Sequence, residues 1–68
     1  MATEPNIGEN IKKHRSKTGL SQEDFAQKSG VKYTTLTKIE SGVIKKPSVV
    51  LVAKIAKALG VSIEDLLK

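Results

Sequence analysis

The 68-residue chain is predicted to be all-α, a compact bundle of five short helices with no strand. Three observations predict it. Asn6 with Glu9, Ser21 with Asp24, and Ser62 with Asp65 each set an N-cap side chain three residues before an acid, the spacing of a capping box or its aspartate variant. Gly19, Gly30, Gly42 and Gly60 fall where helices have to stop, because a C-terminal cap needs a left-handed backbone. Between these marks the apolar residues recur at helical spacing.

Taken in order, residues 1–6 are expected to be a flexible tail and residues 7–68 a single domain. The first helix is predicted over 7–18, with Ile7, Ile11, Arg15 and Thr18 along one side and Lys12, Lys13 and Lys17 outside. The second runs 21–29, where Leu20 can staple to Phe25 across the cap. A turn at Gly30 leads to the third, over 32–41. Leu36, Ile39 and Glu40 share one face of it, and Tyr33, Thr34, Thr37, Lys38 and Ser41 the opposite one. The fourth covers 48–59. The fifth covers 62–67, where Val61 can staple to Leu66.

Arg15 and Glu40 stand out because each puts a charge on an otherwise apolar face. A guanidinium or a carboxylate is costly to bury alone, so one Arg15–Glu40 ion pair joining the first helix to the third is the economical arrangement. The competing reading is two solvated charges at the edge of the core.

Composition excludes several classes. A domain of this size supplies only roughly 3–5 kcal/mol from its core without staples, metal or association. With no cysteine and one histidine, disulfides and cysteine-based metal sites are ruled out, and helix packing or dimerisation must stabilise the fold. No apolar run is long enough to span a bilayer, and the first residues lack the basic and apolar regions of a signal peptide, so a cytoplasmic location is expected. No serine–histidine–acid set, no paired carboxylates in an apolar cleft and no phosphate-cradling glycine loop point to an enzyme, a cofactor or a small-molecule substrate.

The formal net charge is +5. From Phe25 through Ile63 the only acid is Glu40, already assigned inward, against Lys28, Lys32, Lys38, Lys45, Lys46, Lys54 and Lys57. That stretch presents an almost purely positive surface, which suits either a polyanionic partner or a merely soluble lysine-rich domain. Placement favours the first. The lysines cluster at the third helix and in the Lys45–Lys46–Pro47 loop, beside a row of hydroxyl side chains that neither core nor caps require.

At these residues the sequence resembles the phage repressor and Cro family of helix-turn-helix regulators, often called Xre-like, over residues 7–67. The resemblance is carried by Ile11 with Arg15, the Gly-Leu-Ser-Gln run at 19–22, Ala26, Gly30-Val31, Leu36, Ile39-Glu40-Ser-Gly42, Pro47, the Ala-Lys-Ala-Leu-Gly-Val run at 56–61, and Leu66. It implies a five-helix lambda-repressor-like DNA-binding domain with the helix-turn-helix at helices 2 and 3. It further implies that helix 3 enters the major groove of double-stranded DNA and that a homodimer spans two half-sites about 34 Å apart on a palindromic operator. A sequence-specific transcriptional regulator, a repressor, is then the expected function. The alternative is a protein-interaction module of the same fold, an antitoxin or an adaptor.

Carried over position by position, the resemblance puts Tyr33, Thr34, Thr37 and Lys38 at the base-facing places of helix 3. Lys38 can donate to guanine O6 and N7, and the threonine methyls can meet a thymine methyl. Tyr33 either reads a base edge or packs its ring on sugar and phosphate. Gln22 resembles the family glutamine that touches phosphate and braces the start of helix 3. Gln27, Ser41, Lys45 and Lys46 resemble contacts to the DNA backbone, which add affinity without sequence information.

Three departures from the family pattern carry information. Lys32 stands where an N-cap serine or threonine is usual, so the first turn of helix 3 is under-capped by about 1 kcal/mol and can accept a DNA phosphate instead. His14 replaces the usual leucine and is expected to be partly buried and neutral. Val43, Ile44, Val50 and Leu51 are apolar where the family is usually polar. They are expected to form a dimer contact, the other readings being cover for the core or a chain detached from a larger dimerisation domain.

Overall fold

The computed structural model describes residues 6–68, and among these it contains five helices and no strand. Of the expected tail, residues 1–5 lie outside the described residues. The elements are α1 (Ile7–Thr18), α2 (Gln22–Ser29), α3 (Tyr33–Ser41), α4 (Val49–Leu59) and α5 (Ile63–Leu67). From α2 onward each helix starts one residue later than expected, because Ser21, Lys32, Ser48 and Ser62 are extended N-caps and not first helical residues.

The caps are less uniform than the sequence pattern suggests. Ser62 and Asp65 form the full reciprocal box, each side chain bonded to the other's backbone N–H. The Ser62 backbone N–H, then its hydroxyl, then Lys68 hold the Asp65 carboxyl below its ordinary value. At Asn6 and Ser21 only half of the box is made: the cap oxygen accepts from the backbone N–H of Glu9 or Asp24, and neither acid returns a bond to the cap's N–H. Glu9 instead accepts from the Asn6 amide. Ser48 is a fourth cap, accepting from the Leu51 N–H at 3.2 Å. The acid-at-third-place pattern could not reveal it, since Leu51 occupies that place.

The core gathers one to three residues from every helix, with Val31 from the turn: Ile11, Phe25, Ala26, Val31, Leu36, Ile39, Val52, Ile55, Ala56 and Leu66. Leu20 and Val61, the two staple residues, pack against it. Thr18 departs from the expected inner stripe. It is exposed at the helix end, where its hydroxyl donates to the Arg15 carbonyl.

Two contacts tie α1 to α3 and to the end of the chain. A Cβ built on Gly8 would collide with the carbonyl oxygen of Ile39, so α1 and α3 meet backbone to backbone, a separation that only glycine permits. Asn10 reaches from α1 to the end of the chain, its amide donating to the carbonyls of Leu66 at 2.8 Å and Lys68 at 2.7 Å. Those bonds occupy carbonyls that the last turn of a helix leaves unpaired.

Candidate nucleic-acid interface

α2, the turn at Gly30 and α3 form one locked unit. The Gly30 backbone is left-handed (φ 75°), and the N–H groups of Gly30 and Val31 both donate to the Ala26 carbonyl. Val31 then drops into the core as the chain turns. On the inner face of α3, Leu36 and Ile39 are fully buried and Glu40 nearly so.

Glu40 is held by three donors. Arg15 forks onto it, Nε to Oε2 at 2.7 Å and Nη2 to Oε1 at 3.0 Å, and Gln22 Nε2 donates to Oε1 at 3.0 Å. The third guanidinium nitrogen, Nη1, donates to the Leu20 carbonyl at 2.8 Å. The Glu40 side chain is 2% exposed and that of Arg15 12%, so the two charges are shielded together and not solvated at the edge. This network ties α1, the start of α2 and the end of α3 at a single point. Among the described residues no buried side-chain polar atom lacks a hydrogen-bond partner.

With its inner face fixed, α3 turns Tyr33, Thr34 and Lys38 outward, all exposed, and leaves Thr37 half-buried. The Thr37 hydroxyl donates to the Thr34 carbonyl at 2.8 Å, and Ser41 Oγ donates to the Lys38 carbonyl at 3.2 Å. Thr37 therefore offers a methyl group and an acceptor to a partner, not a free donor. Lys32 caps α3 with no side-chain bond. The N–H groups of Tyr33, Thr34 and Thr35 thus point out of the helix start with its positive dipole end behind them.

Gln27, Lys32, Lys45 and Lys46 are exposed. Gln22 is half-buried and differs from expectation. Its amide braces the end of α3 through Glu40, not the start, which leaves one of its two N–H donors for a phosphate. His14 is half-buried.

The four apolar departures do not behave alike. Val43 and Val50 are 71% and 65% exposed. Ile44 and Leu51 instead pack against the core, and the Ile44 N–H donates to the Lys38 carbonyl. Val49, 75% exposed, joins the uncovered pair.

A groove of about 920 Å³ lies elsewhere, between the lysines of α1 (Lys12, Lys13, Lys17) and the end of α3 at Ser41 and Gly42. The outward face of α3 needs no pocket: an α-helix is about 10–12 Å across with its side chains, which matches a major groove about 12 Å wide. No group of residues that could hold a metal ion occurs among the described residues, and none of their helices is long and apolar enough to cross a membrane.

Comparison with known proteins agrees with this geometry. A family model described as helix-turn-helix matches residues 11–66. The HTH-type transcriptional regulator SinR of Bacillus subtilis is 36% identical over 61 residues, 90% of this chain and 55% of that protein. The chain thus spans about half the length of that curated relative. An uncharacterized HTH-type transcriptional regulator of Methanocaldococcus jannaschii, MJ0272, is 46% identical over 56 residues, 82% of this chain and 83% of that one. Among solved structures, SinR in complex with DNA superimposes with a TM-score of 0.88 at 35% identity, covering 91% of this chain and 98% of that one. The restriction-modification controller protein C.AhdI from Aeromonas hydrophila does so with a TM-score of 0.84 at 30% identity, covering 93% and 94%.

Proposed function

The chain belongs to the phage repressor and Cro family of helix-turn-helix regulators, and from that premise we propose that it represses transcription by binding double-stranded DNA sequence-specifically in the cytoplasm. The observation that carries this reading is the division of α3. Its inner face is clamped by Arg15, Glu40 and the core, and its outer face holds Tyr33, Thr34 and Lys38, all exposed, with the half-buried Thr37 bonded only within α3 itself. Lys38 reads guanine and the threonine methyls meet thymine, each good contact supplying roughly 1–3 kcal/mol of discrimination. Gln22, Gln27, Lys45 and Lys46 hold the backbone, Ser41 having its hydroxyl proton on the Lys38 carbonyl, and a phosphate sits at the uncapped start of α3 beside Lys32.

The regulator works as a homodimer, one α3 in each of two half-sites about 34 Å apart. Val43 and Val50 supply its contact, since Ile44 and Leu51 are already committed to the core.

A salt titration of DNA affinity tests the reading. About four lysine–phosphate contacts per subunit predict a log–log slope of about −3.5 per subunit. A slope near zero would remove the groove-binding account.

A further inference from the structure

A second cationic feature stands apart from α3. Lys28 in the last turn of α2 and Lys54 and Lys57 on α4 line an open groove of about 710 Å³, with Ala58 and Leu59 between them. All three lysines are exposed, whereas Ala58 and Leu59 are half-buried and rest on the core. No acid lines the groove. The ion pairs among the described residues are Arg15–Glu40 and Asp65–Lys68, so none of the three ammonium groups is neutralised within the fold.

Helix dipoles account for part of this. Lys28 and Lys57 lie in last turns, where the negative helix end favours a cation. Lys54 lies outside that turn, and dipoles give no reason for three like charges to converge on one concavity. An anionic partner would relieve their repulsion.

On α4 the groove lies away from the loop assigned to the DNA backbone. Lys57 stands eight residues beyond Val49 on α4, about 12 Å along the axis from the end that adjoins the Lys45–Lys46 loop. None of Tyr33, Thr34, Thr37 and Lys38 lines it.

We propose that this groove docks an acidic segment of a partner protein while α3 holds DNA. The lysines pair with carboxylates of that segment, and Leu59 with Ala58 receives an apolar side chain between them. A single-stranded nucleic acid fits the lining less well. The two aromatic residues of the chain are Phe25, fully buried, and Tyr33, on α3, so no base can stack in the groove.

The probe is a fluorescein-labelled peptide of about eight residues, alternating glutamate and leucine, which spans roughly 26 Å when extended. Its affinity for the full chain is read by fluorescence anisotropy. Combining Lys28→Ser, Lys54→Ser and Lys57→Ser should weaken peptide binding about tenfold, three screened ion pairs acting together. Combining Lys32→Ser, Lys45→Ser and Lys46→Ser should leave it within about twofold, and duplex DNA should not displace the peptide. Circular dichroism establishes that both variants are folded.

Unchanged peptide affinity in the first variant, or displacement of the peptide by DNA, would overturn the proposal. So would a loss of DNA affinity in the first variant, which would make the groove part of the nucleic-acid surface. Failure of the DNA reading is distinguishable: it would appear as DNA binding indifferent to the second variant, with the peptide result intact.

Discussion

Replacing Arg15 by alanine tests the junction on which the presentation of α3 depends. The substitution removes two of the three donors to Glu40 and strands a carboxylate that is 2% exposed, with only Gln22 left. Breaking a buried pair from one side costs about 3–5 kcal/mol, because the remaining charge stays out of water without compensation. The Leu20 carbonyl loses its Nη1 donor as well, adding about 1 kcal/mol. A core of this size supplies only about 3–5 kcal/mol in total, so Arg15→Ala should be largely unfolded at room temperature. In melting terms, about 4–8 °C per kcal/mol for a domain of 60–100 residues gives a fall of at least roughly 12 °C. The double variant Arg15→Met with Glu40→Leu removes both charges and should regain most of the loss. Urea and thermal unfolding followed by circular dichroism measure all three proteins. An Arg15→Ala melting point within a degree or two of the parent, or a double variant as unstable as the single, would refute the argument.

Two further perturbations probe the start of α3 and its contact with α1. Lys32→Ser supplies the missing cap and should raise stability by about 1 kcal/mol. In the parent, hydrogen exchange should find the amides of Thr34 and Thr35 unprotected until DNA binds; equal protection in the free and bound states would defeat the phosphate-cap idea. Gly8→Ala should lower the melting point despite alanine's better helix propensity. The added methyl meets the Ile39 carbonyl, and overpacking of about 1–3 kcal/mol outweighs a propensity gain of about 1 kcal/mol. A rise in melting temperature would place Gly8 in open space.

Much of the fold was legible because local chemistry and global packing agree in this chain. Glycine stops and side-chain caps mark helix ends within a few residues of sequence, and the alternation of faces on α3 follows from its spacing alone. The Arg15–Glu40 pair was inferable because two charges on apolar stripes leave few inexpensive arrangements. What escaped depends on distance between elements. The backbone contact of Gly8 with Ile39 and the Asn10 bonds to Leu66 and Lys68 join residues far apart in sequence, and no periodicity encodes them. Ile44 and Leu51 read as a surface patch for the same reason: hydrophobicity says that a side chain seeks cover, and only the fold says whether the core already provides it. The outward residues of α3 were legible as residues left over, a weaker kind of inference than a motif that carries its own chemistry.

The central claim is that α3 reads bases through its outward face, and selection of bound sites from random duplexes tests it most directly when run on the parent, Lys38→Ala and Lys46→Ala. The parent should enrich a symmetric site with half-sites about 34 Å apart. Lys38→Ala should lose preference at one position of each half-site, and Lys46→Ala should enrich the same sequences while binding all of them more weakly. No enriched sequence from the parent, or an unaltered preference in Lys38→Ala, would contradict the account.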